Sequence, residues 1–352
     1  PEATLLGSSF EGVLAEGRAW RDLPAVGLMA WAAGEDEPIP VFFAPGDFEV
    51  DELAQELRDA LGRPELNPDD LLLVFPDSLT WAGLEAPVEE LIRLLGDPSI
   101  AGAASMGLVG QACQSWIGDE VQRGALVGLL VPGGAAARGD GVAAALPRVR
   151  CAGASRFASP WLEISACRER WVDGLEGEPP LDWVRRQLGL DRDSPVEPHL
   201  DRLLVRLRDG ALCEAGESAH SIPQEPAGGD PTDFVERYVV GIDDRRGSLS
   251  VPGDYRRGGH LALALPDADH ARSALRSALR ALAPSPLVMQ FACRARDEAL
   301  HGDPDLEAAL LAHDAPGRMT LGALAPFQLG PASPGGGRVL VHSTVLAALG
   351  EA

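Results

Sequence analysis

Two short apolar runs end in residues able to do chemistry. Leu287–Phe291 (LVMQF) leads into Cys293, Arg294 and Arg296, and Leu71–Phe75 (LLLVF) leads into Asp77 and Ser78. Gly322 and Gln328 belong to the next strand and turn, and His342 sits on the apolar stretch Val339–Leu346. Ligands gather at the carboxyl ends of strands in strand–helix–strand crossovers. A pocket there would offer thiol, guanidinium and amide groups. Arginine grips a carboxylate through two parallel hydrogen bonds, which suits an acidic small molecule. Neighbouring arginines would lower the pKa of the Cys293 thiol. Each residue also has a plain structural alternative: Cys293 as a small buried filler, Arg296 as the partner of a surface carboxylate, His342 as a hydrogen-bonded core imidazole. Cys293 and His342 form the one nucleophile–base pair to nominate, and no third group orients them, so no enzyme is expected. The histidines are scattered without metal-ligand spacing, so no metal site is expected.

The 352 residues carry 30 basic and 53 acidic side chains, a net charge of −23. Such a surface repels nucleic-acid phosphates and anionic lipid, so neither is expected as a partner. Every basic residue is arginine, which removes Schiff-base chemistry and any lysine-dependent phosphate loop. Five cysteines without a C-x-x-C pair fit neither a disulfide framework nor a zinc knuckle and predict a reducing, cytoplasmic location. The longest apolar run, Ala125–Pro132, is too short to span a bilayer.

The elements that position these residues repeat. Leu71–Phe75 reads as a buried strand, Leu84–Leu95 as a helix and Ser99–Ala104 as a second strand; a glycine turn and a returning arm over Trp116–Val131 follow. The same order recurs as Leu287–Phe291, Asp305–His313, Met319–Leu324 and Val339–Leu346. Crossovers of this length make the paired strands parallel. Leu5–Val13 resembles only the second half of the unit, with Gly7 beside Gly102 and Gly12 beside Gly107. This predicts an incomplete first copy, with a strand and a helix encoded before Pro1. Asp191–Pro231 is rich in Pro, Gly, Glu and Ser and reads as a boundary. The expected fold is α+β: two related domains at 1–190 and 232–352, separated by 191–231. Each is a mixed, twisted β-sheet with flanking helices, built from strand–helix–strand–hairpin units.

Several segments resemble the FIST family, which pairs an N-terminal with a C-terminal FIST domain. Arg237–Asp243 (RYVVGID) is similar to the family's R-x-[VI]-x-G-x-D, and Phe291–Arg296 (FACRAR) to F-[SA]-C-x-G-R. Gly322–Pro331 (GALAPFQLGP) resembles G-F-x-x-G-E-I-G-P, and Val341–Thr344 (VHST) resembles L-H-x-x-T. Leu175–Pro179 (LEGEP) and Gly7–Gly12 (GSSFEG) resemble the N-terminal motifs L-[DE]-G-x-P and G-C-[ST]-x-x-G. Ser8 stands for Cys, Ala295 for Gly and Gln328 for Glu. The resemblance implies a bacterial ligand-sensing protein of signal transduction, with an amino acid or other small carboxylate as ligand and a separate signalling protein as partner. Haem is a cofactor of some members, so the resemblance also leaves a haem-binding gas sensor open. A protein-interaction scaffold is a further alternative.

Overall fold

The computed structural model describes residues 5–21, 25–28, 38–43, 50–62, 65–67, 70–79, 85–96, 98–107, 112–132, 148–208, 234–253, 255–332 and 336–349. The fold is α+β. The chain forms two compact units: Pro1–Gly153 with Arg272–Ala352, and Ala154–Ala271.

The first unit begins with β1 (Leu6–Ser8), β2 (Gly12–Ala15), β3 (Arg18–Arg21), β4 (Ile39–Phe43), α1 (Val50–Leu61), β5 (Leu71–Phe75), α2 (Glu85–Leu94), β6 (Ser99–Ala103), β7 (Gln114–Ile117), β8 (Glu120–Arg123), β9 (Leu126–Val131) and β10 (Val149–Gly153). The second unit holds β11 (Ser155–Phe157), β12 (Leu162–Arg168), β13 (Trp171–Leu175), α3 (Pro180–Leu188), β14 (Leu204–Arg208), β15 (Val235–Tyr238), β16 (Gly241–Asp243), β17 (Ser248–Ser250) and β18 (His260–Pro266). After α4 (Ala268–Ala281) the chain completes the first unit with β19 (Leu287–Cys293), α5 (Glu298–His301), α6 (Leu306–Asp314), β20 (Met319–Ala325), β21 (Gln328–Ala332), β22 (Gly336–Leu340) and β23 (Ser343–Leu349).

Two six-stranded sheets of the first unit share one plan. Their orders are β22-β21-β6-β5-β9-β4 and β3-β2-β20-β19-β23-β10. Each has one parallel pair, β5–β6 or β19–β20, joined through helix, and an antiparallel returning strand, β9 or β23. The period of two along a strand sorts the side chains. Leu71, Leu73 and Phe75 share one core with Phe291, Val345 and Ala347 from the other sheet. Leu72 and Val74 face away, packing with Leu53 and Leu57 of α1 and Leu91 and Ile92 of α2. Val288, Leu346 and Ala348 likewise meet Leu275 and Leu279 of α4 and Leu311 of α6. The result is helices, sheet, sheet, helices.

The repeat is therefore real for Leu71–Phe75 and Leu287–Phe291, which hold equivalent places. Both belong to one compact unit. The glycines of the repeat are explained by close approach: a Cβ on Gly102 would lie 1.9 Å from the Val74 carbonyl oxygen, and one on Gly322 2.0 Å from that of Gln290. Leu5–Val13 does not repeat the second half of the unit. β1 pairs with β7 in a three-stranded sheet, β1-β7-β8, and β2–β3 sits on β20 where β21–β22 sits on β6. Gly7 is small for its own reason, since a Cβ there would enter the Trp116 ring at 2.4 Å. The returning arm expected over Val339–Leu346 is broken in two, because His342 takes φ 51° and turns the chain between β22 and β23.

The second unit is an eight-stranded sheet ordered β15-β14-β18-β12-β13-β17-β16, with β11 on β18. α3 begins at Pro180, carries Asp182 in its first turn and Arg185 and Arg186 in its last, and stops at Gly189 in the left-handed conformation. Leu181, Trp183 and Val184 anchor it to a core with Val205, Leu249 and Leu263. This division differs from the boundary read at 191–231. Residues 197–202 form a 3-10 turn and β14 lies inside the sheet, while 209–231 of that stretch lie outside the described residues. In chain order the unit sits between β10 and α4, whose counterparts β4 and α1 follow each other directly.

Candidate functional site

The carboxyl ends of both parallel pairs meet. β20 turns at Pro326 and Phe327 into β21, which runs antiparallel to β6. The Ala104 amide donates to the Phe327 carbonyl at 3.0 Å. The rings of Phe75 and Phe291 lie 5.5 Å apart, and Phe10 packs edge-on to Phe75 at 5.7 Å. Of the residues marked in the sequence, Asp77, Ser78, Cys293 and Gln328 come to this end.

Asp77 is fully buried. Its Oδ1 accepts from the backbone amides of Leu79 and Cys113, both at 3.3 Å, and ties the end of β5 to the approach of β7. The Ser78 amide donates to the Ser105 carbonyl at 3.0 Å. Beside them runs a hydroxyl chain: Ser8 Oγ donates to Ser105 Oγ at 2.6 Å and meets Ser115 Oγ at 2.9 Å, and Ser115 meets Cys113 Sγ at 3.5 Å. Burial pushes the Cys113 thiol pKa up, so it stays protonated. Ser105, Cys113 and Ser115 were not marked from the sequence. For Ser105 the signal lay in the repeat, because Asp77 and Ser105 are the counterparts of the paired residues Cys293 and Ala325; Cys113 and Ser115 carried none.

Gln328 is 0% exposed. Its Nε2 donates to the Ala325 carbonyl at 3.2 Å, which fixes the orientation of the amide. Its Oε1 is buried and has no partner among the described residues. An unmet buried acceptor costs about 1–3 kcal/mol, so this oxygen calls for a donor. Cys293 is buried too, its Sγ 3.8 Å from the Pro326 carbonyl oxygen.

Arg296 serves another cluster. Its Nε donates to Glu307 Oε1 at 2.8 Å, its Nη2 lies 2.6 Å from the same oxygen, and its Nη1 donates to the carbonyls of Ala152 at 2.8 Å and His342 at 3.3 Å. His301 Nε2 meets Glu307 at 3.0 Å, and Thr344 Oγ1 donates to it at 2.7 Å. Burial works to raise the Glu307 pKa, but Arg296 and these hydrogen bonds together hold it down at about 2. Burial, reinforced by Arg296, lowers the His342 pKa to about 3, so its ring is neutral near neutral pH. The cluster fastens α6 to the ends of β10 and β23. The guanidinium is thereby committed, and none of its bonds reaches Gln328. Arg294 is largely exposed and pairs with Glu11 at 2.6 Å. Gly322 lies mid-strand and serves close packing of β19 and β20.

An axial haem ligand needs an imidazole opening on a large apolar cavity. His301 is on Glu307 and His342 is packed beside Arg296, so these two buried histidines, among the described residues, do not fit a haem.

Residues 181–325 match the family model of the FIST C domain. This stretch, under half of the chain, is similar to the FIST C domain. The matched stretch starts in α3 and ends with β20, so it crosses from one compact unit into the other along the chain. FIST C domains are associated with sensory proteins of signal transduction. A search of the curated proteins returned no match. No helix among the described residues is long and apolar enough to cross a membrane.

Proposed function

We propose that this protein is a cytoplasmic, non-catalytic sensory protein that binds a small ligand where the carboxyl ends of its two parallel strand pairs meet, and that it reports to a separate signalling protein. The observation that carries this reading is the Gln328 Oε1, a buried acceptor with no partner among the described residues. The ligand supplies an N–H or O–H donor to it, and the amino group of an amino acid meets that need. The rings of Phe10, Phe75 and Phe291 gathered at this end favour a ligand with an apolar body. Burial and Arg296 hold the His342 ring at a pKa of about 3, which makes it a weak base and favours binding over catalysis. The test is mass spectrometry of small molecules released from the purified protein, followed by thermal-shift measurements with amino acids and matched amines. An amine-bearing compound should raise the melting temperature, and Gln328→Met should abolish that rise. If nothing is retained and no compound shifts the native protein, the reading fails.

A further inference from the structure

A concavity lies in the other unit and has no part in the Gln328 site. It is an open groove of about 300 Å³ lined by Asp182, Arg185, Arg186, Leu190 and Arg192. That volume is at the small end of small-molecule sites. The groove exists because the chain folds back after α3. Gly189 ends the helix, the Leu190 amide donates to the Arg185 carbonyl at 2.9 Å, and Arg185 Nε donates to the Ser194 carbonyl at 3.1 Å. This loop brings Arg192 to the groove that Arg185 and Arg186 also line.

The three guanidiniums differ in what they have left to give. Arg185 is spent on the loop, on Asp182 at 3.4 Å and on Asp244 at 3.1 Å. Arg186 gives Nη2 to Glu178 at 2.6 Å and keeps its other N–H groups. Arg192 has no hydrogen bond or ion pair among the described residues. Two guanidiniums with free donors therefore line a groove whose apolar wall is Leu190, on a chain whose net charge is −23.

We infer that this groove binds a small organic monoanion, its carboxylate held between Arg186 and Arg192 and its aliphatic body on Leu190. Planar guanidinium donors suit a carboxylate head, and the half-buried leucine suits an aliphatic chain. Hexanoate is the probe, titrated at low ionic strength while the methyl resonances of Leu190 are followed by NMR. A saturable shift is expected, weakened about tenfold in Arg192→Gln and in Arg186→Gln, as the loss of one charge-assisted hydrogen bond requires. Gln328→Met should leave it unchanged, which separates this site from the proposed sensory one. Hexylamine, with the same body and the opposite charge, should give no saturable shift. The inference is overturned if hexanoate gives none, if hexylamine matches it, or if neither arginine variant weakens it.

Discussion

Arg296 and Glu307 form a buried ion pair with side chains 0% and 7% exposed. Removing one partner strands the other charge, which costs about 3–5 kcal/mol. Glu307→Ala should therefore lower unfolding free energy by about that amount in urea titration. The double variant Arg296→Met/Glu307→Leu should lose less than the single one, because no charge is left unpaired; an equal or greater loss would show that the pair is not the cause. His342 belongs to the same cluster and sets a pH dependence. Its folded pKa of about 3 lies below the ordinary 6.5, so the unfolded chain takes up the proton first. Its contribution is complete above pH 6.5 and is lost as the pH falls toward 3. Glu307, held at about 2 against an ordinary 4.5, adds a loss only below 4.5. His342→Asn keeps a residue tolerant of the left-handed backbone. Between about pH 7.5 and about pH 5 this variant should lose about 2 kcal/mol less stability than the native protein. Identical pH slopes in denaturant titrations would disprove the assignment.

At the scale of elements, the two parallel pairs depend on glycine for their spacing. In Gly102→Ala the new methyl would meet the Val74 carbonyl oxygen at 1.9 Å, and no flexible side chain can yield there. The strands must separate, at a cost of about 3 kcal/mol or more. Gly153→Ala is the control, since nothing lies within 4 Å of its added methyl, and it should stay within about 0.5 kcal/mol of the native stability. Thermal or urea unfolding of the two variants checks the contrast, and equal effects would refute it. The same spacing holds the end of β5 that carries Asp77, so Gly102→Ala should also impair the proposed ligand binding at the Gln328 end.

For the whole molecule, the second unit is an insertion into the second of two matching sheets. The Asp267 amide donates to the Ala154 carbonyl at 2.8 Å, so the inserted chain leaves close to where it enters. Splicing Gly153 to Ala268 through a short glycine-rich linker should leave the first unit folded, as the direct link from β4 to α1 does in its counterpart. Dispersed NMR spectra and cooperative thermal unfolding of the shortened protein are the expected results. A non-cooperative transition with collapsed dispersion would mean that the first unit depends on the inserted one.

The sequence by itself determined which segments are strands and helices in the repeated units. The runs Leu71–Phe75 and Leu287–Phe291, the amphipathic α4 and the glycines at 102 and 322 are local patterns, and burial periodicity is a local property. It also marked Asp77 and Cys293, because strand ends are legible wherever an apolar run stops, and Gln328, through the turn that follows the next strand and the motif it resembles. Three matters were decided by tertiary structure alone. Arg296 was read as a ligand clamp or as the partner of a surface carboxylate; it holds the buried Glu307, since a charge finds its partner across space and the ten intervening residues carry no mark of it. The hydroxyl chain of Ser8, Ser105 and Ser115 joins positions about a hundred residues apart, and no local pattern pairs their hydroxyls. The unit boundary was drawn at 191–231 because Pro, Gly and Ser mark turns, yet turns occur inside sheets as readily as between units. The compact units instead follow long-range pairing, in which β10 joins β23 from the far end of the chain, and only the folded backbone holds that information.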